Sequence, residues 1–170
     1  IRRFGCGFAQ GAKSVDPAID VLINFAGDTP AAFSDPARGA ELARSQLDRG
    51  ADVVLQAAGG TGIGVLQAVA DAGALGIGTD SNQNGLHPGH VLTSMLKRVD
   101  VAVEEAFADW SPGLRVLGLA EAGMTWVLDE HNEALVTPEM EETADDAMAA
   151  IATGAITVHD SSTDGACPAL

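Results

Sequence analysis

The sequence predicts an α/β domain in which a parallel sheet is covered by helices on both faces. Three observations carry this expectation. Apolar runs without polar alternation recur at "IDVLINFAG", "ADVVLQAAG" and "ALGIGTDSN", as in strands buried on both sides. Helical patterns separate them, giving βαβαβ with right-handed crossovers. Each run also opens into small or polar residues at its carboxyl end, "FAGDTPAAFSD", "QAAGGTG" and "GTDSNQN", and in such sheets ligands bind beyond those ends.

The elements follow in order. "RRFGCGFAQGAKSV" spaces Phe4, Phe8 and Ala12 four residues apart, predicting an amphipathic helix that stops near Asp16-Pro17. "IDVLINFAG" is the first buried strand. "SDPARGAELARSQLDRGA" is a helix with Ser34 or Asp35 as cap, Pro36 at the first helical position and Gly50 at its end. "ADVVLQAAG" is a strand, "GIGVLQAVADAG" a helix ended by Gly73, and "ALGIGTDSN" a strand. "HVLTSML" is a further strand, and "KRVDVAVEEAFADW" a helix beginning at Lys97 with Val99, Val103 and Phe107 on one face. After Trp110-Ser111-Pro112-Gly113 the pattern changes. Two short runs, "LRVLGLAE" and "MTWVLDEHN", then predict a hairpin or neighbouring strands. "TPEMEETADDAMAAIATGAI" is a helix capped by Thr137 with Pro138 next, and "TVHDSSTDGACPAL" is a tail.

At 170 residues with 46% hydrophobic content and 20 glycines, the chain has material for a core and for many strand-to-helix turns. A domain of this size buries roughly two-thirds of its unfolded surface. The net charge of -15 repels a phosphate backbone, so no nucleic-acid partner is expected. No run approaches the ~18 apolar residues of a membrane span. The chain opens on "IRRFGCGF", without an initiator Met or a signal-peptide pattern, and is expected to be a truncated or processed part of a longer protein. Its two cysteines, Cys6 and Cys167, allow one bridge at most.

The stretch "LQAAGGTGIGVLQ" carries the first chemical question. Gly60, Gly62 and Gly64 are spaced G-x-G-x-G, which is not the G-x-G-x-x-G of a dinucleotide site, and no P-loop lysine follows Gly64. Two readings stay open. The glycines make a tight strand-to-helix turn, or they bring bare backbone and helix-start amides against a neutral ligand. Asp80, ending a strand, can accept two hydrogen bonds from adjacent hydroxyls of a ribose or sugar, or serve the turn locally. Lys97 can donate to the same hydroxyls or neutralise Asp80; as a solvated helix-start lysine it would oppose the helix dipole. Phe33 can stack on a flat base or pack inward, and Phe25 and Trp126 are expected in the core. The four histidines show no metal-ligand spacing and no G-x-S-x-G occurs. A nucleotide-dependent α/β oxidoreductase or nucleoside hydrolase therefore lacks its residues, and no metal or cofactor is expected.

"NFAGDTPAAFSDPARGAELARSQLDRGADVVLQAAGGTGIGVLQAV", followed by "GIGTDSNQ" and "VLTSMLKRVDVAV", resembles the basic membrane protein family, which includes the PnrA-type purine nucleoside receptors. The resemblance runs from "RRFGCGF" to "AAIATGAITV". It implies a substrate-binding protein of an ABC importer, non-catalytic, with a type I periplasmic-binding-protein fold whose two lobes close over a purine nucleoside such as adenosine, guanosine or inosine. By motif it makes Asp80 the ribose-hydroxyl acceptor and Lys97 its companion, and sets Gly59 and Gly60 against the ligand; Phe33, a candidate for stacking on the base, matches less closely, because its loop "AGDTPAAFSDP" is longer than the family's usual one. It implies an ABC permease as partner and a periplasmic or lipid-anchored extracytoplasmic location, a setting that favours a Cys6–Cys167 bridge. Most of the N-terminal lobe is expected to be missing. Residues 1–110 and 137–170 would form the second lobe, and 114–136 would return to the first. A sugar-binding or sensor lobe of the same fold is the alternative, because fold does not fix ligand.

Overall fold

The computed structural model describes all 170 residues. Its helices are α1 (Arg2–Val15), α2 (Pro36–Leu47), α3 (Thr61–Asp71), α4 (Val99–Ala108) and α5 (Pro138–Ala152), and its strands are β1 (Val53–Leu55), β2 (Leu75–Asp80), β3 (Val91–Lys97) and β4 (Met124–Trp126). Single 3₁₀ turns lie at Pro30–Phe33 and Asn84–Leu86. The strands form one sheet in the order β1-β2-β3-β4. β1, β2 and β3 run parallel, and β4 pairs antiparallel with β3, Met95 opposite Trp126. The α/β architecture expected from the alternating runs is therefore present. No helix is long and apolar enough to cross a membrane.

Local chemistry explains the helix starts. Asp35, rather than Ser34, caps α2 by accepting the Arg38 amide, and Thr137 caps α5 by accepting that of Met140; a proline follows each cap. Such a cap stabilises by about 1 kcal/mol. The core lies where α2 and α3 cover β1, with Ala43, Val54, Val65, Ala68 and Val69 buried together. Two glycines let the helices meet backbone to backbone. A Cβ on Gly64 would stand 1.8 Å from the Pro36 carbonyl oxygen, and one on Gly39 would stand 2.2 Å from that of Thr61.

Two expectations need correction. Residues 19–27 are apolar as a strand should be, yet form none. No backbone–backbone hydrogen bond involves residues 20–28; the one carbonyl engaged is that of Leu22, which accepts from the Gln46 side chain. Apolar character buries a segment, but a strand also needs a neighbour at hydrogen-bonding distance. Here a cavity of about 850 Å³ lies between this segment and β1. Residues 114–121 likewise form no strand, so there is no hairpin. Helix α4 forms in the expected stretch but buries no residue: Val99 is 65% and Phe107 79% exposed, and nothing in this chain covers its apolar face.

Cys6 and Cys167 are joined by a disulfide that ties the tail to α1. Beside it Gln10 donates to the His159 carbonyl and accepts from the His159 amide, while Arg3 pairs with Asp160.

Candidate ligand-binding rim

The carboxyl ends of β2 and β3 bring together the two charged residues singled out above. Asp80 ends β2 and Lys97 ends β3, and the Lys97 Nζ stands 2.6 Å from Asp80 Oδ1. Both side chains are about half exposed, at 50% and 49%. An ion pair this open contributes at most ~1 kcal/mol to stability, so folding alone does not account for it. Asp80 also adopts φ 72°, in the left-handed region, one of two non-glycine residues to do so. Such conformations occur where the surroundings hold a residue in a demanding position. Lys97 belongs to the strand, and Arg98 is the N-cap of α4. The expected opposition to a helix dipole therefore falls away. Instead the ammonium lies over the Phe4 ring of α1, 5.3 Å from its centroid.

The glycine stretch divides into two working halves. The rear half is packing: Gly64 admits Pro36, and Gly62 admits the Gln56 side chain, whose Oε1 would lie 1.9 Å from an added Cβ. The front half is exposed. Gly59 has φ 54°, and neither its amide nor that of Gly60 donates within the chain. Phe33 stands over this half, its Cδ1 3.6 Å from where a Gly59 Cβ would be, and is 42% exposed. Thr61 fixes the two loops to each other, its hydroxyl accepting from the Asp35 amide and donating to the Ala32 carbonyl, each at 2.7 Å. Phe33, Gly59 and Gly60 thus share one corner of the rim, with Asp80 and Lys97 at the neighbouring strand ends.

Phe25, expected in the core, is 47% exposed, with the Arg2 guanidinium 5.0 Å from its ring centroid. Trp126, also expected there, is only half-buried, and its indole N–H donates to Asp145 at 2.9 Å. Each has a cationic or anionic partner that a core site would not supply.

Sequence reasoning missed the polar network beneath the rim. Gln56 donates to Gln83 Oε1, which also accepts the Thr79 amide. The Gln83 amide donates to the Ser94 hydroxyl, which in turn donates to Asn84. Asn84 and Asn82 both donate to Asp129 Oδ2, at 3.1 and 2.8 Å. Gln56, Ser94, Asn84 and Asn132 are all buried. The chain of bonds runs from the glycine loop, through the Asp80 turn and β3, to the segment after β4. Burial pushes the Asp129 carboxyl up, but the bonds from Asn82, the His131 amide and Asn84 outweigh it and hold it below the ordinary carboxylate range. The available signal was the density of amides in "TDSNQN".

With this geometry in view, residues 1–114 match the family model Bmp, described as ABC transporter substrate-binding protein PnrA-like. The chain belongs to the Bmp family. Its Bmp relatives include the ABC transporter nucleoside-binding protein BmpA of Lactococcus lactis subsp. cremoris, 36% identical over 125 residues, covering 62% of this chain and 34% of that protein. An uncharacterized lipoprotein of Pyrococcus furiosus is 32% identical over 139 residues, covering 75% of this chain and 35% of that protein. Among solved structures, an ABC transporter solute-binding protein from Aeropyrum pernix K1 aligns with TM-score 0.77 at 25% identity, over 92% of this chain and 53% of that one. The chain spans about a third of the length of the curated Bmp relatives it matches.

Proposed function

We propose that this chain is the nucleoside-binding second lobe of an extracytoplasmic receptor that delivers a purine nucleoside to an ABC permease. The observation that carries the reading is the half-exposed Asp80–Lys97 pair at the strand ends, in a chain whose relatives include a named nucleoside-binding protein. Asp80 accepts the adjacent ribose hydroxyls and Lys97 donates to one of them. A carboxylate is suited to this because it has about four lone-pair sites and no proton of its own to donate. The free amides of Gly59 and Gly60 donate to the ligand, and Phe33 offers a ring face to the base.

Binding is not catalytic in this reading. Residues 1–110 with 137–170 form one lobe, which β4 joins by pairing with β3, and the run 114–121 reaches toward the other. The exposure of Leu114 and Val116, 94% and 78%, fits a segment that another lobe would cover. A ligand touching both lobes favours the closed receptor by its differential affinity for that state. The lipoprotein name of the Pyrococcus relative supports a lipid-anchored location.

Isothermal titration of the protein, freed of bound ligand by unfolding and refolding, with adenosine, guanosine, inosine, uridine and ribose tests this. Purine nucleosides should bind and ribose alone should not. Ribose binding as tightly as adenosine would move the reading to a sugar receptor. Absence of binding by folded protein would remove nucleosides altogether.

A further inference from the structure

Asp80 sits at the centre of an unusual turn. The Ser81 amide donates to the Thr79 carbonyl at 2.9 Å, across a residue whose φ is 72°. A bond between residues two apart, with the central φ near +75°, is the γ-turn in its rare, strained form. The register of β2 shows what the turn achieves. Asp80 stands opposite Leu96 in the parallel ladder, and successive side chains along a strand point to opposite faces. Extended backbone at position 80 would set the carboxylate on the face of Leu96 and leave Lys97 on the other. The turn carries the carboxylate to Lys97 instead, 2.6 Å away. A conformation of this kind persists only where its surroundings over-determine it.

Fixed points lie on both sides of the turn. Before it, the amide of the buried Thr79 donates to Gln83 Oε1 at 2.9 Å. After it, Asn82 Oδ1 accepts the Asn84 amide at 3.0 Å, and Asn82 Nδ2 donates to Asp129 Oδ2 at 2.8 Å, from a position 47 residues away in the chain. Asp129 is itself pinned. Its Oδ1 accepts the His131 amide at 2.9 Å, its own amide donates to Asn132 Oδ1 at 2.7 Å, and the fully buried Asn132 donates to the Leu92 carbonyl of β3 at 2.9 Å. No lysine or arginine pairs with Asp129, so its carboxylate serves amide donors alone. Asn82 is exposed, and an exposed amide that loses its partner turns to water, so its bond to Asp129 adds little to folding. We propose that Asp129, acting through Asn82, is a positioning residue of the binding site: it clamps the γ-turn that aims the Asp80 carboxylate and does not itself touch the ligand. With Asp80 read as the acceptor of the ribose hydroxyls, as above, the segment after β4 thereby sets the affinity of a site to which it contributes no contact.

The test places Asn82→Ala and Asp129→Asn each in the wild-type protein and in Asp80→Asn, with two readouts. The first needs no ligand. A positive φ brings an amide proton close to the Hα of its own residue, so Asp80 should give a strong intraresidue amide–Hα nuclear Overhauser effect in the wild type, and each single variant should lower it to the level of the other β2 residues. The second is calorimetry with adenosine. Each single variant should weaken binding roughly 10-fold, and by less than about 2-fold once residue 80 is already Asn, because a clamp that works only through the Asp80 carboxylate is coupled to it. An unchanged Overhauser effect in both variants overturns the clamp, and so does adenosine affinity that neither variant moves. The full loss repeated on top of Asp80→Asn also overturns it, since general loosening of the site would add independently. Should the wild type bind no nucleoside, or Asp80→Asn bind it unchanged, the reading of Asp80 falls and the Overhauser effect alone decides the clamp. Asn82→Ala alters an exposed position and carries both readouts where Asp129→Asn fails to fold.

Discussion

Asp80 and Lys97 make the sharpest residue-scale prediction. Asp80→Asn keeps a residue type that tolerates the left-handed backbone but replaces a charged acceptor with a neutral amide. Hydrogen bonds to charged groups contribute ~1.5–3 kcal/mol, so nucleoside affinity measured by calorimetry should fall about 10- to 100-fold while the melting temperature stays nearly unchanged. An unaltered dissociation constant removes the ribose role. Gly64→Ala should do the reverse in kind. Its new Cβ meets the Pro36 backbone, and overpacking of this sort costs ~1–3 kcal/mol, read as a lower urea midpoint. At this scale the sequence was legible where chemistry is carried by charge: Asp80 and Lys97 were named, and the structure brings them into contact. It was not legible where only shape matters. Nothing in "GGTGIG" tells that Gly62 and Gly64 serve packing while Gly59 and Gly60 face outward, because that depends on where Pro36 and Gln56 arrive from elsewhere in the chain.

Among the elements, the network under the rim governs how firmly the Asp80 turn is held. Ser94→Ala leaves the buried Asn84 side chain and the Gln83 amide each short of a partner, and should destabilise by ~1–3 kcal/mol in urea unfolding. The network is also pH-dependent. The Asp129 carboxyl is held below its ordinary value, so its contribution is complete above that ordinary value and is lost as pH falls through the folded one. The urea midpoint should therefore drop in that acid window more steeply in the wild type than in Asp129→Asn; parallel profiles would deny Asp129 this part. Helices α1, α2, α3 and α5 were readable from apolar spacing, caps and prolines, which are local signals. Residues 19–27 were not, because an apolar run reports burial, whereas a ladder requires a partner that local sequence does not contain. The exposed face of α4 shows the same limit, since amphipathicity shows which side seeks cover and not whether cover is present.

For the whole molecule the disulfide matters most, because it encloses nearly the entire chain. In the chain-entropy account, cross-linking across 161 residues constrains the unfolded ensemble by roughly 5 kcal/mol, with strain and residual structure reducing what is realised. Cys167→Ser, compared with the wild type without reductant, should lower stability by about 2–5 kcal/mol; no difference in urea midpoint would mean that the packing of the tail suffices without the bond. The same bond changes what it means to cut this protein. Between Cys6 and Cys167 the polypeptide is a closed ring, so one nick by a protease, for example near the exposed Leu114 and Val116, leaves a molecule of unchanged mass and composition apart from one added water. Its two pieces travel together through a non-reducing gel and part only when a thiol is added.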